Sequence, residues 1–447
     1  MRKLPITTFP LLLVIAASLS CGYTSPGGSG QTSGLKYRAF ISDNVSAGTS
    51  TAGIYIVDAQ HDVHPSLAPI AAGNTPGMMV VTPNRNQTLV FSGTGDQFSD
   101  NQFSLINNAS ESNAAHVTLP GYTESFVVSP DSSTAYVAVP TAPVVGQSPG
   151  NIKVVALNSF TFTGEIDIPS VRYLSMSNSG NRILAFSTDS DSVAVVTPSN
   201  LGTNQPVVTY VAGFDRPVQA YFSSDDSTAY IVNCGAECGG VQAGVQQLNM
   251  TTNTPGTPAG ACTTDPTPQC AGSVALVIGS TMYLAGTPYI NGSPSFTCTG
   301  QAGETLNCGM LTIFDLGTMS VVTTGIAITD GYHNRIAMAA NGQLFIGART
   351  CTEIIPTQPP PQGAEVRGCL SIYNSLTTAV GSIPPGGVVI PPANGDATGI
   401  QPIATRTVVY VIQGGSLGIY DTATDALQSL QITNLVGNFI DVKTVDF

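Results

Sequence analysis

SPDSSTAYVAVP, residues 129–140, reads as a tight polar turn running into a short apolar strand, and versions of it recur along the chain. Pro, Asp and Ser crowd the first half because each favours a turn for its own steric or hydrogen-bonding reason, while the β-branched and aromatic second half favours a strand. Aligning the apolar residue two places into that strand gives Phe40, Leu89, Tyr136, Leu184, Tyr230, Tyr283, Phe345 and Tyr410. The first five positions are 46 to 49 residues apart, and the later steps lengthen to 53, 62 and 65. A strand-built repeat of this period predicts the blades of a β-propeller.

Each copy holds further strands. Apolar runs such as SFVVSP (125–130) and QAYFSS (219–224) precede the turn and predict inner strands, and IKVVALN (152–158) and LGIYDTA (417–423) predict third strands. A weaker fourth strand follows, as in ALQSLQIT. The first copy, near Tyr37, lacks an inner strand, whereas the chain ends in an unpartnered one, FIDVKTVDF (439–447). Pairing the two closes a ring and removes exposed sheet edges. The expectation is an all-β chain, a single propeller of eight four-stranded blades closed by the C-terminal strand. Seven blades, with one of the irregular later copies as an insertion, is the rival count.

Composition agrees with strands and turns. Charged residues make up 9% of the 447, against 47 Gly and 31 Pro, which leaves little for helices. The net charge of −13, with three Lys and nine Arg scattered after residue 21, excludes a nucleic-acid partner, which needs clustered cations.

The N-terminus MRKLPITTFPLLLVIAASLSCGYTSPGGSG predicts an export signal over residues 1–20, with basic Arg2 and Lys3 before an apolar core too short to span a membrane. Cys21 stands where bacterial lipoproteins carry the lipidated cysteine, and residues 21–35 form a Gly/Ser-rich tether ahead of the propeller domain, 36–447. A cleaved signal that happens to hold a cysteine is the alternative. The other eight cysteines form four local pairs: Cys234 with Cys238, Cys262 with Cys270, Cys298 with Cys308, and Cys351 with Cys369. An even set in an exported chain predicts disulfides, and short loops close at least entropic cost.

The SPDSSTAYVAVP and FSSDDSTAYIVN units, with LGIYDTATDAL, resemble the YVTN-type propeller repeats of bacterial cell-surface proteins, related in plan to lactonase-like propellers. The resemblance covers nearly all of 36–447, is strong in the second to fourth copies and loosens after residue 250. It implies a fold more than a function.

Function is sought on one rim. Residues 94–102, 141–151, 235–243, 288–310 and 350–369 join strands 2 and 3, while 251–272 and 384–398 lead into the next blade, and alternating strand direction puts both sets on the same face. All four cysteine pairs fall in these loops. The residues entering the inner strands there are Tyr122, Glu124, Arg172, Asp215, Arg216, Asp330, His333 and Arg335, the candidate ligand-binding set of a central funnel. Three arginines suit a carboxylate or phosphate. Their bland reading is pairing with Asp215, Asp330 or nearby carbonyls.

Catalytic signals are thin. His61 and His64 are expected to be solvent-exposed in an outer strand of the first blade, and no nucleophile elbow, zinc helix, P-loop or dinucleotide fingerprint occurs. Acidic pairs such as Asp189/Asp191 and Asp96/Asp100 read as turn chemistry rather than metal loops, so neither cofactor nor metal is expected. The reading is a monomeric cell-envelope binding or scaffold lipoprotein, in the periplasm or on the surface, recognising a protein, a glycan or a small anion. The alternative is a lactonase-like hydrolase or isomerase in which His333 and the arginines act on a carboxylated substrate; a secreted soluble form is the alternative placement.

Overall fold

The computed structural model describes residues 32–44, 51–93, 99–259, 270–354, 362–392, 394–429, 432 and 435–446. Residues 1–31, which include Cys21 and most of the tether, lie outside them, as do Asp96, Cys262 and Phe447. The chain forms an eight-bladed, all-antiparallel β-propeller. Among the described residues the helical elements are two single 3₁₀ turns, Pro198–Asn200 and Gly235–Cys238.

Blade 1 joins Arg38–Asp43 and Gly53–Asp58 to the C-terminal strand Phe439–Thr444, and Ile70 adds a fourth-strand bridge to Ile54. Blades 2 to 8 are four-stranded and begin at Pro76, Ser125, Val171, Pro217, Val274, Tyr332 and Ala397. All eight aligned repeat residues, from Phe40 to Tyr410, fall in the second strand of their blades. The closing strand pairs from Ala39 with Thr444 to Asp43 with Phe439. It also reaches into blade 2, where buried Asp441 accepts a hydrogen bond from the Met79 N–H at 3.0 Å.

The radial position of each strand explains its composition. Second strands such as Thr134–Val139 are buried on both faces between neighbouring blades, so they read as continuous apolar runs. Fourth strands such as Ser112–Thr118 alternate strictly, as outer strands facing water on one side should. Inner strands such as Val171–Met176 are half-buried because one face looks into the central channel.

The opening turn works through its aspartate. Ser129 Oγ and the Ser133 N–H both donate to Asp131 Oδ1, at 2.5 and 3.0 Å, and Ser132 takes φ 59°. The copy in blade 5 repeats this: Ser223 Oγ and the Ser227 N–H donate to Asp225 at 2.6 and 3.1 Å, with Asp226 at φ 57°. The bonds hold the Asp131 carboxyl below its ordinary range. Asp131→Ala is expected to cost about 1 kcal/mol, read as a small fall in Tm with the fold intact.

Three disulfides brace the long loops between second and third strands: Cys234–Cys238, Cys298–Cys308 and Cys351–Cys369. Cys270 is disulfide-bonded as well. No helix among the described residues is long and apolar enough to cross a membrane.

Candidate functional site

A repeated irregularity builds the mouth of the channel. The pairing of first and second strands slips by one residue at Arg172 in blade 4, Val218 in blade 5, Asn334 in blade 7 and Thr398 in blade 8, always close to where the inner strand begins. A bulge adds one unpaired residue and re-aims its side chain. Arg172, Val218 and Asn334 all line a central funnel of about 350 Å³, with walls from blades 1 to 7.

Of the eight candidate residues, Tyr122, Glu124, Arg172 and Arg335 line this funnel. Arg216 lines an adjoining lobe of about 270 Å³, which shares Arg172, Tyr173, Val218 and Tyr332 with the funnel. The other three are committed elsewhere. Asp215 accepts the backbone N–H groups of Val241 and Gln242 at 3.0 and 2.6 Å, folding the Cys234–Cys238 loop back on itself, and a Cβ at Gly240 would collide with its carboxylate. Asp330 accepts both the N–H and the hydroxyl of Thr352 at 2.7 Å.

His333 corrects the sequence reading most clearly. Its ring is fully buried and its Nε2–H donates to the Thr329 carbonyl at 3.0 Å, so it turns away from the funnel. Burial pushes its pKa down to about 4. Proton transfer with a funnel substrate is therefore closed to it. The slip at Asn334 separates it from Arg335, which does face the channel. His64 is a second correction: it is buried, bonded through Nδ1 to the Ile56 carbonyl at 2.9 Å and set edge-on to Tyr55, while His61 is exposed beside Asp58.

The arginines divide into paired and unpaired. Arg172 donates to Glu124 and lies over the Tyr173 ring at 4.9 Å, and the Tyr173 hydroxyl meets that of Tyr332 at 3.0 Å. Arg335 donates to the carbonyls of Thr398 and Asn334, at 2.7 and 3.0 Å. Arg349, at the end of the second strand of blade 7, was missed from sequence; it lines the funnel and its Nε is buried without a hydrogen-bond partner. Among the described residues neither Arg335 nor Arg349 forms an ion pair with a carboxylate. Burial holds the Arg335 guanidinium below its ordinary value; the attraction of Asp441 opposes this, and the repulsion of Arg349 adds to it. The bland reading, in which Asp215, Asp330 or nearby carbonyls absorb the arginines, holds for Arg335 through its two carbonyls, while Arg172 is taken by Glu124 instead and Arg349 keeps an unpartnered Nε.

Glu237 was also missed. It lines the adjoining lobe from the Cys234–Cys238 loop, accepts the Thr287 N–H at 3.0 Å and lies 3.2 Å from the Ser273 hydroxyl. Burial pushes its carboxyl up to about 8, so it is neutral at pH 7. Arg367, fully buried, ties the loops of blades 6 and 7 through the Asn307 carbonyl and Cys308 Sγ. Of the acidic pairs, Asp100 accepts from the Asn74 N–H and the Ser92 hydroxyl and Asp191 from the Arg216 N–H, bonds that tie separate segments together rather than close local turns. Where three metal-capable side chains converge among the described residues, at Cys351, Glu353 and Cys369, two are joined as a disulfide.

No protein-family model and no curated protein matches the sequence. Solved structures align with the chain. The dihydro-heme d1 dehydrogenase NirN, in complex with DHE, aligns over 92% of this chain and 76% of its own at TM-score 0.59 and 12% identity. Hydrazine synthase of Kuenenia stuttgartiensis aligns over 68% and 78% at TM-score 0.45 and 15% identity. A functionally unknown protein of Desulfotomaculum acetoxidans aligns over 91% and 98% at TM-score 0.46 and 11% identity. Of these, NirN supports the propeller fold, and at such identity the likeness extends no further.

Proposed function

We propose that this propeller is an exported cell-envelope binding protein that holds a small anionic ligand in its central funnel. The observation that carries the reading is the pair Arg335 and Arg349, two funnel-facing guanidiniums without a carboxylate partner in a chain of net charge −13. Gathering unpaired like charges in a half-buried cleft is costly unless something neutralises them. An anion forked between them would do so, with charge-assisted bonds from rigid strand ends rather than loops. The disulfides suit an oxidising compartment, and the reading keeps the YVTN-type repeat, a lipid anchor at Cys21, a propeller domain over 36–447 and a monomer that meets envelope protein or glycan through its long-loop face. The alternative reading, a hydrolase or isomerase using His333, loses that residue, which is buried and bonded to the Thr329 carbonyl.

Titration calorimetry at low salt with acetate, citrate, glucuronate and phosphate tests this. At least one anion is expected to bind, and Arg335→Gln or Arg349→Gln should each weaken it by about 2 kcal/mol, roughly thirtyfold in Kd. Silence from every anion, or unchanged affinity in both variants, contradicts the reading.

A further inference from the structure

Resting on the anion reading of the funnel, we propose that the ligand is an acidic disaccharide: a uronate whose carboxylate lies between Arg335 and Arg349, joined to a neutral hexose that enters the adjoining lobe.

The two spaces are one site with two chemistries. They meet along Arg172, Tyr173, Val218 and Tyr332, so a ligand filling the funnel can continue past these side chains without leaving the protein surface. The funnel end carries surplus positive charge. The lobe does not: Arg172 is spent on Glu124, Arg216 lies 3.8 Å from Asp191, and Asp189 adds an uncompensated carboxylate. A second anionic group there, whether of a dicarboxylate or a phosphate ester, would find Arg216, its Nε unpartnered, set against the two carboxylates Asp189 and Asp191.

What the lobe offers is mixed hydrogen bonding. Ser187 and Thr188 bring hydroxyls, Asp189 accepts, and Glu237, neutral in its buried setting, can both donate and accept. Sugar hydroxyls also do both, and a carboxylate beside hydroxyl groups suits vicinal diols. Tyr122, Tyr173 and Tyr332 supply ring surface around the junction, where the apolar C–H face of a pyranose can lie. A simple aliphatic acid would use the arginines and leave the rest of this lining unmatched.

The test compares probes by calorimetry at pH 7 on the intact protein: glucuronate and galacturonate, their uronosyl-hexose disaccharides, cellobiose, lactose and digalacturonate. At least one uronosyl-hexose is expected to bind tenfold or more tighter than its free uronate, digalacturonate should gain little over galacturonate, and the neutral disaccharides should not bind. Asp189→Gly removes the lobe carboxylate at a residue with φ 57°, a conformation glycine adopts freely. It should return the disaccharide to the affinity of the uronate and leave the uronate unchanged. If no disaccharide exceeds its free uronate, or Asp189→Gly weakens both alike, the inference is overturned while anion binding in the funnel stands. If no anion binds at all, both readings fall.

Discussion

Removing residues 439–447 is expected to abolish cooperative folding. The segment buries Phe439, Val442 and Val445 at 3% exposure or less, each worth about 2 kcal/mol of transfer free energy. Asp441 is lost with them, leaving the Met79 N–H without its acceptor at a further cost of about 1–3 kcal/mol. The total rivals the whole stability of an ordinary domain, about 5–15 kcal/mol. Deletion also bares the edge of Arg38–Asp43 and breaks the blade that joins the two ends of the chain. The truncated protein should be insoluble, or should bind a hydrophobic dye and lose its thermal transition. A rescue separates position from mere length: moving residues 439–447 ahead of residue 32, through a short turn, restores the same antiparallel partner and should restore the transition. Failure of the rescue, or a truncated chain that still melts cooperatively near the parent Tm, speaks against closure by this strand.

The second large effect is in pH dependence. Glu237 has its pKa raised from 4.5 to about 8 by burial. The folded chain therefore keeps a proton that the unfolded chain gives up, so the contribution to stability is fully present below pH 4.5 and is lost as pH rises to 8. At about 1.4 kcal/mol per pH unit the loss is about 5 kcal/mol at most, an upper bound for a group lining a lobe. Glu237→Gln cannot ionise. Its stability by chemical denaturation should match the parent near pH 4.5 and exceed it by several kcal/mol at pH 8.5. Parallel curves across that range would show that Glu237 titrates as an ordinary surface carboxylate.

How much of this was legible in sequence depended on how many residues carry each signal. The second strand announces itself because burial on both faces makes it uniformly apolar, and eight copies fixed its spacing. The closing strand was found by accounting, since a missing inner strand at one end matched a surplus at the other. The bulges were not legible. A one-residue slip at Arg172 or Asn334 changes no composition, yet it decides which side chains enter the funnel, and it is why His333 and Arg335 parted company.

Arg349 left a trace that could have been followed. The second strands end in Asp43, Ser92, Val139, Ser187, Asn233, Gly286, Arg349 and Gln413, where Arg349 is the one cation. Glu237 left none, because its environment is made by Ser273 and Thr287, 36 and 50 residues further along. Asp215 and Asp330 had the right address and the wrong orientation: each is turned toward the loop between the second and third strands of its blade, by N–H groups 22 to 27 residues further along.

The central claim is that Arg335 and Arg349 together hold an anion, and a crystal structure of the protein grown with glucuronate at saturating concentration tests it most directly. The account predicts density for the carboxylate within hydrogen-bonding distance of both guanidiniums, with the sugar ring against the tyrosines. Glucuronate bound elsewhere, or an empty funnel whose two arginines have swung onto protein carboxylates, would contradict it.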